Sequence, residues 1–273
     1  MMKIGAQMYS IRLQTKTTED LRESLRRMKE AGYQMIQASG RGIVETDPYV
    51  LRDLTQEFGF PVPLSHMPVP RLENELDEVI RYHKIVGIPV VGLGAMPKEL
   101  RDGKYETFKG FLDRYNEIEK RLNDAGLRFA YHNHNFEFDT LDNGRCIFDH
   151  LAEDCDWDII ADVCWIHVAG RSVPETLSRL KGRLYNAHLK DVLPFTPEQK
   201  AAMAADHSLV IPTSQENFCP LGQGEVDLLE AAGSLEENGC VNAFVEQDNA
   251  TNKPDPCGEM EQSAAYLKSV NLL

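Results

Sequence analysis

Short apolar runs alternate along the chain with longer stretches whose apolar positions recur every three or four residues. The first pattern fits a buried strand and the second an amphipathic helix packed against it. The opening KIGAQMYS reads as a strand. TEDLRESLRRMKEAG follows as a helix, with Leu21, Leu25 and Met28 on one face and Gly32 at its stop. Further strands are expected in YQMIQASG, PVPLSHMPV, IPVVGLGAMP, LRFAYHNHNFEF, WDIIADVCWI, RLYNAHLKDV and CVNAFVEQD. Helices are expected in DPYVLRDLTQEFG, RLENELDEVIRYHKIVG, KYETFKGFLDRYNEIEKRLNDAG and VPETLSRLKG, and near residues 145–153, 225–238 and 257–271.

Eight strands with intervening helices on 273 residues are what a closed (β/α)8 TIM barrel requires, here as one domain over residues 1–273. An open doubly wound sheet fits less well. No G-x-G-x-x-G follows the first strand, and polar residues recur at the carboxyl ends of many strands instead of at one switch point. Residues 193–225, after the seventh strand, are longer than ordinary connections and are expected to act as a lid or binding loop. Within them TPEQKAAMAADH can open a short helix, with Thr196 as cap and Pro197 in its first turn.

A hydrophobic share of 42% leaves enough apolar surface for one large core. The net charge of −14 argues against a nucleic-acid partner, because a phosphate backbone is held by clustered Lys and Arg. The N-terminus lacks the apolar run of a signal peptide, and no stretch approaches the roughly 20 apolar residues of a membrane span. Six cysteines without a C-x-x-C pair point to free thiols in a reducing cytoplasm, with a structural disulfide as the alternative.

The stretch YHNHNFEF places His132, His134 and Glu137 within six positions, among aromatics that want burial. A buried polar group without a partner costs about 2–7 kcal/mol, so either water or a metal must reach this strand end. Barrel enzymes build their sites at such ends. His66, Asp162, His188, Lys190, Glu246 and Asp248 occupy corresponding positions on other strands. Two glutamates, one aspartate and one histidine make an oxygen-rich set that suits Mn²⁺, Mg²⁺ or Co²⁺, with Zn²⁺ also accommodated. Each residue also has a plainer reading as a solvated strand terminus or an ion-pair member. His83 and His150, on or near helices, read as surface or packing residues.

IGAQMYSIR, YHNHNFEF, IIADVCWIHVAG, RLYNAHLKD, LGQGEVDL and AFVEQD, in this order and spacing, resemble the sugar isomerase/epimerase group of xylose isomerase-like TIM barrels. The resemblance implies one divalent metal, Mn²⁺ first, held by Glu137, Asp162, His188 and Glu246 from the last four strands. His132 stands where epimerases of the superfamily carry the first glutamate, and it is the alternative first ligand. Strand alternation puts His132 and His134 on one face and Glu137 on the other, while charge balance favours the carboxylate.

The chemistry implied is proton transfer beside a carbonyl through an enediolate, with Glu137 and Glu246 as acid or base on opposite faces of the sugar. Lys190, His132 and His134 would bind hydroxyls or the developing oxyanion, with His66 and a Trp165 wall completing the mouth. Lys190 is equally well read as an ion-pair partner of Asp191 or Glu246. The substrate is expected to be a keto sugar or related polyol, and homo-oligomers occur in the group. The same site also serves a dehydratase of keto-inositols or a lyase of 3-keto-glycosides. The superfamily's DNA-repair nuclease branch conflicts with the charge of −14. A non-catalytic sugar-binding barrel is the remaining alternative. Gln37 stands where many relatives carry an acid, which bears on which hydroxyl is recognised there.

Overall fold

A computed structural model describes residues 2–199, 201 and 217–273. The strands are β1 (Lys3–Gln7), β2 (Met35–Ala38), β3 (Leu64–Met67), β4 (Val90–Leu93), β5 (Arg128–His132), β6 (Asp158–Asp162), β7 (Asn186–Leu189), β8 (Asp191–Val192), β9 (Phe218–Cys219) and β10 (Asn242–Val245). Eight of them close a parallel barrel in the order β1-β10-β7-β6-β5-β4-β3-β2, while β8 and β9 form a separate antiparallel pair. The expected (β/α)8 barrel is therefore the fold.

Strand alternation sorts the side chains. Tyr131, Ile159, Ala187 and Val245 join the large core between the barrel and its helices. Met35, Leu64, Val90, Ala130, Ile160 and Phe244 plug the barrel itself. Further along six of the strands the inward positions turn polar: Gln37, His66, His132, Asp162, His188 and Glu246. The plug is tight. A Cβ on Gly92 would collide with the Ser65 carbonyl and lie 2.8 Å from His66 Cδ2, so a side chain there would displace a site histidine.

The helix Thr18–Ala31 buries Leu21, Leu25 and Met28 as expected and stops at Gly32, whose φ of 101° is left-handed. Two expectations are corrected. The strand expected over WDIIADVCWI ends at Asp162, and Val163–Val168 is a helix, because the Asp162 carboxylate caps it by accepting from the Cys164 and Trp165 N–H groups. The helix expected over residues 71–87 breaks at Glu75 into Val69–Asn74 and Leu76–Val86. His83 and His150 are buried packing residues, bonded to Ser65 and to Asn143 respectively. All six cysteines are free.

Of the expected lid, residues 200 and 202–216 lie outside the described residues. At its start Thr196 Oγ1 accepts from the Gln199 N–H, the expected cap. Its feet are tied together: β8 pairs with β9, and the buried Asp191 carboxylate accepts from the N–H groups of Val192, Gly222, Gly224 and Val226. Among the described residues no helix is long and apolar enough to cross a membrane.

Candidate active site

The polar layer at the barrel mouth brings His132, Asp162, His188 and Glu246 together, all buried, with one donor atom from each within 4.8 Å of the others. Ligands about 2.0–2.2 Å from one ion span nearly this spread. Three of the four ligands expected by resemblance are thus assembled, and His132 stands in the fourth place.

Glu137 is turned away from the cluster. Past His132 the chain leaves the strand and winds into the short helix Phe136–Phe138, so strand alternation no longer governs it. Its carboxylate accepts from the Tyr131 hydroxyl and, at 2.8 Å, from the His134 N–H. Tyr131 belongs to the core between barrel and helices. Glu137 therefore fixes the backbone that carries His134 and does not reach the mouth.

Both clustered imidazoles are anchored through their outer nitrogens. His132 Nδ1 lies 3.0 Å from the Gly94 carbonyl, and His188 Nε2 lies 2.8 Å from Gln37 Oε1. A neutral ring that donates outward presents its other nitrogen inward as a lone pair. His132 Nε2 then faces Asp162 Oδ2 at 3.3 Å, and His188 Nδ1 faces Glu246 Oε2 at 2.9 Å and Asp162 Oδ2 at 3.7 Å. Lone pairs facing carboxylates repel unless a cation sits between them or the ring gains a proton. Outward donation to a carbonyl is also how protein metal ligands are usually oriented. The residues fit a divalent ion, and Gln37 finds its role as the orienter of His188.

One cation is already present. The buried Lys190 Nζ lies 3.1 Å from Asp162 Oδ2, 2.8 Å from Glu246 Oε2 and 2.8 Å from Asp248 Oδ2, and about 5.1 Å from the Trp165 and Phe218 ring centres. Burial pushes its ammonium down, but the three carboxylates outweigh that and hold it well above the usual lysine range. Burial likewise raises Asp162 and Glu246, yet Lys190 and the histidines hold both well below the usual carboxylate range. Burial and the nearby Glu246 charge raise Asp248. The ion-pair reading of Lys190 thus holds for Glu246, whereas Asp191 is committed to backbone N–H groups.

His66, His132, His134 and Trp165 line a cavity of about 400 Å³ over the cluster, with Glu246 and Asp248 in its wall. Three of its polar atoms have no hydrogen-bond partner among the described residues: His66 Nε2, His134 Nδ1 and Trp165 Nε1. Burial, with His132 nearby, holds the His66 and His134 imidazoles well below the usual histidine range. They are therefore neutral and free to hydrogen-bond a ligand. Asn133 ties β5 to β6 by accepting from the Asp162 N–H at 3.0 Å. Sequence reasoning passed over Asn133, Tyr9 and Arg41; the polar asparagine at a barrel-strand end was the one signal available.

Burial pushes the Glu137 carboxyl up to about 7 from 4.5. Between those two values the unfolded chain has lost its proton and the folded chain keeps it. Folding stability therefore falls as pH rises through the window, by about 3 kcal/mol in all, and levels off above it. Glu137→Gln lacks this loss. Urea unfolding at pH about 4 to about 8 should show the variant gaining on wild type as pH rises, whereas a constant difference would mean the carboxyl titrates normally.

The family model for the xylose isomerase-like TIM barrel matches residues 25–270. No curated protein sequence matches the chain. Among solved structures, a sugar phosphate isomerase/epimerase from Parabacteroides distasonis superposes with a TM-score of 0.77 at 19% identity, covering 99% of this chain and 95% of that one. The probable 3-DHS dehydratase AsbF from Bacillus anthracis gives 0.72 at 12% identity, covering 98% and 99%. The IOLI protein, whose structure contains a zinc atom, gives 0.65 at 17% identity, covering 99% and 98%.

Proposed function

Because the chain belongs to the xylose isomerase-like TIM barrel family, we propose that it is a metal-dependent isomerase or epimerase that moves a proton beside the carbonyl of a keto sugar or related polyol. The observation that carries this is the pair of outward-anchored histidines whose inner nitrogens converge on Asp162 and Glu246 under a cavity of sugar size.

In this reading His132, Asp162, His188 and Glu246 hold the ion, and Mn²⁺ or Zn²⁺ suits two imidazoles and two carboxylates better than Mg²⁺ does. An ion held by these residues would polarise a substrate carbonyl and so ease loss of the neighbouring proton. Glu246, which also lines the cavity, is the group that takes or returns that proton. Lys190 supplies fixed positive charge beside it. The neutral imidazoles of His66 and His134 bind hydroxyls or relay a proton on the other face, the place first expected for Glu137. Trp165 offers its indole N–H and a flat wall.

An elimination that starts from the same proton loss is the second reading, favoured by the fold shared with a dehydratase. One experiment addresses both. The full-length protein, supplied with Mn²⁺ or Zn²⁺, is incubated with a panel of keto sugars in D₂O. Deuterium is expected at a carbon next to the carbonyl, and chelation should stop its uptake. Loss of water or of a glycosidic substituent would select elimination. No exchange with any keto sugar at any metal loading would reject proton transfer.

A further inference from the structure

The cavity over the cluster continues past the barrel mouth. Tyr9 and Arg41 line both that cavity and an adjoining groove of about 840 Å³, which also contains Arg12, Lys16, Thr17 and Glu45. Three cations against one carboxylate reverse the balance of the whole chain, where 43 acidic residues oppose 29 Lys and Arg. A local positive concavity on an acidic protein concentrates anions at that spot.

The cations are not equivalent. Arg12 is fixed: its Nη1 donates to the Tyr9 carbonyl at 2.9 Å and the Asp248 carbonyl at 3.0 Å, and its guanidinium lies 4.1 Å over the Tyr9 ring. Arg41 is exposed and has no side-chain hydrogen bond or ion pair to any described residue. Its place is set by its two neighbours. Gly40 has a left-handed φ of 89°, and a Cβ there would lie 2.9 Å from Arg12 Cβ. A Cβ on Gly42 would collide with Thr15 Oγ1 and lie 2.5 Å from the Thr15 carbonyl. The turn is pressed against residues 12–15 on both sides of Arg41, which fixes its backbone where cavity and groove meet and leaves the guanidinium open to a ligand.

We propose that Arg41, backed by Arg12 and Lys16, receives an anionic substituent, carboxylate or phosphate, which the substrate carries away from its reacting carbons. The substrate class is then an acidic sugar. This rests on the reading of the His132, Asp162, His188 and Glu246 cluster as the reacting centre. A guanidinium fork matches either anion in two parallel hydrogen bonds, which an ammonium does not. A neutral sugar would leave that fork to water.

The test is calorimetric titration of the full-length protein with D-glucose, D-glucuronate and D-glucose 6-phosphate, which share a ring and differ at one end. At least one acidic probe should bind about tenfold more tightly than glucose, and added salt should erode the preference. Arg41→Gln should remove most of that preference, and Lys16→Gln less of it. Preference for glucuronate alone would identify a carboxylate, and for glucose 6-phosphate alone a phosphate. Equal binding of all three probes, binding of none, or a preference that survives Arg41→Gln would overturn the proposal. The readout is binding, so a failure of keto-sugar exchange would reject the reacting-centre reading separately.

Discussion

Lys190→Met protein, kept metal-free with a chelator, is expected to unfold at a clearly lower urea concentration than wild type, with a loss of about 3–5 kcal/mol. The loss follows from what the ammonium leaves behind. Asp162, Glu246 and Asp248 each place an oxygen within 3.1 Å of Nζ, and Asp162 and Glu246 are buried, so their charges are poorly solvated once the ammonium is gone. Removing one partner of a buried ion pair costs more than the pair was worth, because the remaining charges stay desolvated and, here, repel one another. Mn²⁺ or Zn²⁺ should restore most of the loss, since a divalent ion supplies the missing positive charge and binding to the folded form alone adds stability by mass action. Wild type should gain less from the same ion. If Lys190→Met matches wild type without metal, the three carboxylates are not jointly charged, and the electrostatic account of the site fails.

The second large effect concerns the metal itself. Elemental analysis should find close to one divalent ion per chain in wild type. The ion should be largely absent from Glu246→Gln and from His132→Ala, while Glu137→Gln retains it. Turnover in Glu246→Gln should fall by about 10²–10⁴-fold even when excess metal is supplied, because the variant also loses its proton-transfer group. The three variants separate the two candidate first ligands. If Glu137→Gln loses the ion and His132→Ala keeps it, the outward-facing Glu137 must swing inward on binding. If neither wild type nor variant takes up metal when Mn²⁺ or Zn²⁺ is offered, a sugar-binding barrel without proton-transfer chemistry becomes the better account.

Asp162, His188 and Glu246 could be placed from the sequence because each lies within one residue of the end of a regular strand, so residue counting and geometry agree. His132 sat in the same regular stretch, and alternation alone puts it on the inner face; weighing charge balance above alternation moved the assignment to Glu137. That residue lies beyond the point where β5 ends, and the helical turn at Phe136–Phe138 breaks the count. The helix Val163–Val168 was hidden because VCWI is apolar and β-rich, and Asp162 as a capping residue was the available clue. The anchors of the two imidazoles could not be read at all. Gln37 lies 151 positions from His188, and Gly94 contributes a backbone carbonyl, so both pairings exist only once the barrel closes. Arg41 was equally obscure, because its setting depends on which segment its flanking glycines press against.

The chain from His188 to Val192 serves two purposes on alternate residues. His188 and Lys190 belong to the site, and Asp191 clasps residues 222–226, which follow the returning strand β9. The junction where the chain leaves at Val192 and re-enters at Phe218 is fixed by the β8–β9 pairing and by Asp191, without drawing on the side chains of the cluster. The arrangement is modular in the evolutionary sense: the clasp and the charge cluster share one short stretch of chain but use different side chains, so a lineage can alter one while inheriting the other.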